Sequence, residues 1–116
     1  GDNKGGQIWM YQPENKDEGK LTLLFESPSR DIMNMPDNIC LHPKNNLLYI
    51  CEDTDYAGET KRVNFIRILT PNGKMADFAK NISPKFPTSE FAGSTFSKDG
   101  KTLFVNLQAA GATFAI

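Results

Sequence analysis

Residues that commonly carry catalysis are scarce in this chain: His42 is the single histidine, and Cys40 and Cys51 are the only thiols among 116 residues. His42 stands beside Pro43 with no serine or cysteine spaced to use it as a base, so a Ser-His-Asp or Cys-His hydrolase is excluded and His42 reads as a hairpin residue. The sequence has no C-x-x-C, no G-x-x-x-x-G-K-[ST] and no G-x-G-x-x-G, which removes thioredoxin-like, P-loop and dinucleotide-binding readings. Basic excess is absent as well. Thirteen Lys and Arg face 14 Asp and Glu, for a formal net charge of −1, leaving no field to recruit nucleic acid or an anionic membrane. No apolar run approaches the ~18 residues of a membrane span, and no signal-peptide core opens the chain. Apolar faces with a 3.6-residue period are missing too, so helical repeats are excluded.

What is present is a repeat of β-hairpins. Residues 96–106 (FSKDGKTLFVN) carry a hairpin signal at Asp99-Gly100, followed by the apolar Leu103-Phe104-Val105. Residues 41–51 (LHPKNNLLYIC) align with it at an offset of 55, placing Leu41 on Phe96, Asn45 on Gly100, Leu48 on Leu103, Tyr49 on Phe104 and Ile50 on Val105. A second pair, Gly19-Lys20-Leu21 and Gly73-Lys74-Met75, agrees at an offset of 54. Two hairpins can resemble one another by chance, but two independent pairs on nearly one offset argue for a repeat. Propeller blades of about 40–50 residues have four strands each, and a unit of about 54 reads as a somewhat long blade.

Strands are expected at 7–12, 20–27, 38–41, 47–51, 63–69, 74–79, 92–96, 103–107 and around 113–116, with 29–35 either a helical turn or a loop over a sheet face. In the turn TPNG, Pro71 presets φ and Asn72-Gly73 supply left-handed positions. The fold class is therefore all-β, a fragment of a β-propeller with four-stranded antiparallel blades: 1–35 half a blade, 36–80 a whole one, 81–116 an incomplete third. So few blades close no ring, and exposed sheet edges favour self-association between copies. In the expected register Cys40 opposes Tyr49 and Cys51 opposes Asn38, too far apart diagonally for a disulfide, so two buried free thiols are expected. Trp9, Tyr11, Tyr49 and the eight phenylalanines fit packing between blades, and Arg62 and Arg67, which alternate with apolar residues on one strand, are expected to face solvent or an acidic neighbour.

Carboxylates gather at strand ends and in the long loop 52–61: Asp37, Glu52, Asp53, Asp55 and Glu90. Such oxygen donors suit hard cations, although solvated loop charge explains many clusters of this kind. Asp53-x-Asp55 has the alternation that opens an EF-hand, but the terminal Glu is missing, and an EF-hand is excluded.

A set of ordered motifs resembles the C-terminal part of the PhoX-type alkaline phosphatase family. They are Pro36-Asp37-Asn38-Ile39, Tyr49-Ile50-Cys51-Glu52-Asp53, Glu90-Phe91-Ala92-Gly93, the run from Phe96-Ser97 through Asp99-Gly100 and Leu103-Phe104-Val105-Asn106 to Gln108, and Gly111, Thr113 and Ala115-Ile116. The likeness covers most of 36–116. It implies a secreted or periplasmic β-propeller, exported by a twin-arginine signal, that hydrolyses phosphomonoesters at a Ca²⁺ and Fe³⁺ cluster. Mapped onto this sequence, it makes Glu52 and Glu90 the first candidates for metal ligands, with Asp37 and Asp53 next. The upstream half that would complete the site is not in this sequence, so the piece alone is expected to be inactive. A non-catalytic propeller that binds a partner is the competing reading.

Overall fold

The computed structural model describes residues 5–54 and 63–116. Asp55, Arg62 and most of the loop expected at 52–61 lie outside the described residues.

Among the described residues nine strands form: β1 (Gln7–Pro13), β2 (Gly19–Glu26), β3 (Pro36–Leu41), β4 (Leu48–Glu52), β5 (Phe65–Leu69), β6 (Met75–Lys80), β7 (Phe91–Phe96), β8 (Leu103–Leu107) and β9 (Ala112–Ala115). They pair as three antiparallel meanders: β1-β2, then β3-β4-β5-β6, then β7-β8-β9. Among the described residues there is no helix. The chain is all-β, as expected, and these three sheets do not close into a ring.

The middle sheet has a neighbour on each face because side chains alternate along a strand. On β4, Leu48 and Ile50 pack toward the first sheet with Ile8, Phe25, Met33, Leu69 and Met75. Tyr49 and Cys51 point the other way, into a cluster with Ile66, Phe91, Leu103, Val105 and Leu107. Met33 holds the stretch 29–35 down. That stretch is a turn, with the amides of Ile32 and Met33 donating to the Ser29 carbonyl, and the Met33 side chain is fully buried.

The 54–55-residue repeat extends to hydrogen bonds and irregularities. The Asp53 amide donates to the Met35 carbonyl, and 55 residues later the Gln108 amide donates to that of Glu90. A β-bulge interrupts β1-β2 between Ile8 and Trp9, and one interrupts β5-β6 between Ile66 and Arg67. The residues opposite, Leu23 and Asp77, are 54 apart. Bulges set local twist, so conserving their position conserves how each sheet meets the next.

Several local expectations change. The 96–106 hairpin closes between Phe96 and Leu103 with six residues between, not around a two-residue turn. Ser97 widens it: its hydroxyl accepts the Thr102 amide and donates to Asp99, whose carboxylate accepts the Lys101 amide. In the TPNG turn only Gly73 is left-handed, and in the 42–47 turn the left-handed residue is Asn46, one after the Asn45 aligned with Gly100. β5 begins two residues late because Asn64 bridges loops instead, accepting the Thr54 amide and donating to the Thr88 carbonyl. Cys40 and Cys51 are free and oppose Tyr49 and Asn38 as expected, but only Cys51 is fully buried. Cys40 lies on β3, the edge strand of its sheet.

His42 fastens the middle sheet to the third. Its Nδ1 accepts the amides of Lys44 and Asn45, so Nε2 carries the proton it shares with the Gly100 carbonyl at 3.0 Å. Its ring meets Phe96 edge-on at 4.6 Å, and Phe96 in turn meets Tyr49. Gly100 has φ of 74°, and a Cβ there would lie 2.7 Å from His42 Cε1. Gly111 is also left-handed, with open space around it. Gly100→Ala is therefore expected to cost about 1–3 kcal/mol of unfolding free energy in urea titrations, and more than Gly111→Ala, which carries the backbone cost alone.

Candidate functional site

β4 ends in two carboxylates, and its alternation sends them apart. Glu52 shares the face of Ile50 and Leu48, whereas Asp53 turns toward the third sheet. Both sit at the end of the stack that carries the inter-sheet connectors and the β4–β5 loop.

Glu52 is 1% exposed and fully engaged. Its Oε1 accepts the Asn34 amide and Arg67 Nε, each at 2.8 Å, and its Oε2 accepts the Phe65 amide at 3.2 Å and faces Arg67 Nη2 at 3.5 Å. Arg67 also pairs with Asp77 across the β5–β6 bulge and stacks on the Phe65 ring. The acidic neighbour expected for Arg67 is thus two residues, Glu52 and Asp77. A cavity of about 330 Å³ opens beside the pair, lined by Arg30, Asp31, Asn34, Thr54, Val63 and Phe65. Burial pushes the Glu52 carboxyl above its usual range, and Arg67 and the two amides pull it part of the way back.

Asp53 and Glu90 share a second cavity, of about 210 Å³, with Ser89, Gln108 and Ala109. The repeat builds it: Asp53 and Gln108 are equivalent positions, and each donates its amide to the residue preceding the strand pair it follows, Met35 or Glu90. Ser89 accepts the Ala109 amide, which closes the loop beneath.

Asp37 is exposed on β3 and accepts from the Asn38 side chain. Burial pushes the Cys51 thiol up, so it stays protonated at neutral pH.

The four sequence candidates therefore divide. Asp53 and Glu90 come together, Asp37 stays exposed on β3 outside their cavity, and Glu52 faces a separate cavity. No three His, Cys, Asp or Glu side chains gather as a metal group among the described residues. The two cavities differ in fitness for a cation. At Glu52 a metal would compete with a guanidinium already 2.8 Å from the carboxylate, and it does not fit. Among the described residues that line the second cavity, Asp53, Glu90, Gln108 and Ser89 bear oxygen donors and none is Lys or Arg, which is donor chemistry suited to a hard cation. Gln108 and Ser89 escaped the search for acidic residues. The offset of 55 from Asp53 and from Asn34 was the available signal.

A family model described as alkaline phosphatase PhoX matches residues 1–111. The match reaches upstream of the 36–116 motifs and takes in the first sheet. No curated protein and no solved structure matches the chain.

Arg67→Met would leave the Glu52 carboxylate buried without its counter-charge, for an expected loss of about 3–5 kcal/mol at neutral pH, while Glu52→Leu with Arg67→Met recovers much of it. At pH between its unfolded value and its raised folded one, the Glu52 carboxyl holds a proton in the native state that the unfolded chain has released. Its stabilising contribution is thus full below about pH 4.3 and is lost as pH rises through the folded pKa. Without Arg67 that pKa rises further, so the gap between wild type and Arg67→Met should widen with pH. Urea titrations from pH 4 to pH 8 check this; a pH-independent gap would refute it.

Proposed function

The chain belongs to the alkaline phosphatase PhoX family, and on that premise we propose that it forms part of the wall of a metal-dependent phosphomonoesterase centre, with Asp53 and Glu90 as its cation-facing carboxylates. The observation that carries this reading is the oxygen-lined cavity they share with Gln108 and Ser89 at the connector end of the sheets. Glu52 acts one step back, as the residue that pins the strand end preceding Asp53. Asp37 is the outlying member of the set.

The chain's own contribution is rigid placement. Asp53 is held by its amide on the Met35 carbonyl, and Glu90 by its carbonyl on the Gln108 amide. Leu107 and Phe91, the chain neighbours of Gln108 and Glu90, are both buried and anchor those positions. Hard cations of the Ca²⁺ and Fe³⁺ kind, when bound, neutralise phosphate charge and activate an oxygen nucleophile. A site contributing two carboxylates belongs with the weaker calcium sites, of about 10⁻⁴–10⁻³ M in extracellular modules, in keeping with a secreted or periplasmic setting. The three stacked sheets are read as half, whole and three-quarter blades of a β-propeller. In this reading the chain is a fragment and, alone, leaves phosphomonoesters intact.

Calorimetric titration of the chain with Ca²⁺ is expected to detect binding that weakens roughly 10- to 100-fold in Asp53→Asn and Glu90→Gln but not in Glu52→Gln. In the complete reading frame, p-nitrophenyl phosphate hydrolysis should require Ca²⁺ and fall with the first two substitutions. Unchanged Ca²⁺ affinity in both would remove the cavity from the metal centre. A metal-loaded parent inert toward phosphomonoesters would make this a non-catalytic propeller module.

A further inference from the structure

Asn64 stands one residue before β5, and its side-chain amide joins the two backbone stretches that meet at the cavity of Asp53 and Glu90. Its Oδ1 accepts the Thr54 amide at 2.7 Å, and its Nδ2 donates to the Thr88 carbonyl at 2.8 Å. Thr54 follows Asp53, and Thr88 precedes Ser89 and Glu90. One planar amide, in a residue with no solvent exposure, therefore bridges the backbone beside one carboxylate to the backbone beside the other. Asn81, also buried, extends the bridge. Its backbone amide donates to the Asn64 carbonyl, and its Nδ2 donates to the carbonyls of Phe86 and Ser89 at 2.8 and 2.9 Å. Ser89 in turn accepts the amide of Ala109, next to Gln108. Each of the four oxygen-bearing lining residues thus belongs to this network or adjoins a member of it.

Stacking two sheets does not by itself call for such a bridge, as the repeat demonstrates. In the β1–β2 and β5–β6 pairs, Gln7 and Glu26 take the places of Phe65 and Lys80, so Gly6 stands where the middle sheet has Asn64, and Ser27 where it has Asn81. The backbone bond between these positions is kept: the Ser27 amide donates to the Gly6 carbonyl as that of Asn81 does to Asn64. Ser27 still ties down its own connector, through the carbonyls of Ser29 and Met33. What is lost is the side chain that crosses the junction, and a Cβ on Gly6 would lie 2.4 Å from the Pro36 ring. At this first junction Met35 occupies the position of Glu90. The bridge is therefore absent where the place of Glu90 is apolar and present where Glu90 meets Asp53.

We propose that Asn64, backed by Asn81, is a positioning residue that fixes the separation of Asp53 and Glu90 and so sets the cavity's cation affinity, a role that rests on that cavity being cation-facing. Groups that hold metal ligands in place typically change affinity 10- to 100-fold when removed. A fixed spacing also favours Ca²⁺ over Mg²⁺, because carboxylates held apart cannot close to the roughly 2.0–2.1 Å that the smaller ion demands.

Calorimetric titration of the chain with Ca²⁺ and with Mg²⁺ tests this. Asn64→Ala should weaken Ca²⁺ binding about 10-fold or more and narrow the preference for Ca²⁺ over Mg²⁺. Should the alanine variant fail to fold, Asn64→Ser should give the same result, because its hydroxyl is too short to reach both partners. Gly100→Ala loosens the same two sheets at the opposite end of β4 and β7, and its Ca²⁺ affinity should stay within about twofold of wild type. An Asn64 variant that binds Ca²⁺ like wild type overturns the proposal. So does an equal loss in Gly100→Ala, which would make the effect one of general stability. Asp53→Asn, titrated alongside, separates the two readings. Weaker binding in Asp53→Asn with none lost in Asn64→Ala removes the bridge alone, whereas no binding in the wild type, or unchanged binding in Asp53→Asn, removes the cavity and the bridge with it.

Discussion

Burial of the central strand β4 on both faces is the constraint from which the remaining structure follows. A strand covered on one side alternates apolar and polar residues, whereas β4 reads Leu48-Tyr49-Ile50-Cys51 without a polar interruption. Satisfying such a strand takes two partners, one per face, and the flanking sheets supply them. Each large apolar side chain taken out of water in this way contributes roughly 1.5–3 kcal/mol, more than an exposed ion pair. The three sheets therefore stack around β4 first, and polar contacts refine the arrangement.

Carrying β4 one residue further creates a charge problem inside the same stack. Glu52 occupies an inward-facing position, and its carboxylate could not remain ionised there without donors on every side. Arg67 is two residues into β5 on the same face, and the connector amide of Asn34 and the first amide of β5 complete the set. The cost of burying the charge is thus offset by ties that join the connector, β4 and β5 at one point. A period of two then sends neighbouring carboxylates to opposite faces: Glu52 holds the strand end, and the next residue, Asp53, lines the other cavity beside Glu90.

The same geometry explains how a repeat persists while its side chains diverge. Trp9 stands where the middle sheet has Arg67, and Leu23 where it has Asp77, yet the bulge between them is kept. Backbone register and twist decide how sheets stack, and they tolerate an ion pair in one unit and an aromatic-aliphatic pair in another.

By itself the sequence determined the all-β class, the nine strands to within two or three residues at their ends, the opposition of Cys40 to Tyr49 and of Cys51 to Asn38, and the family, because alternation, turn residues and a 55-residue offset are local or arithmetic signals. It did not distinguish Glu52 from Asp53 or Glu90, since a carboxylate paired with a guanidinium and one lining an oxygen cavity are written with the same letters. Only the tertiary structure decided that. Arg67 and Asn34 reach Glu52 across 15 and 18 residues of chain, and Gln108 approaches Asp53 across 55, through stacking that no local pattern encodes. The tertiary structure also set the late start of β5, where Asn64 spends its hydrogen bonds on the Thr54 amide and the Thr88 carbonyl instead of on the strand.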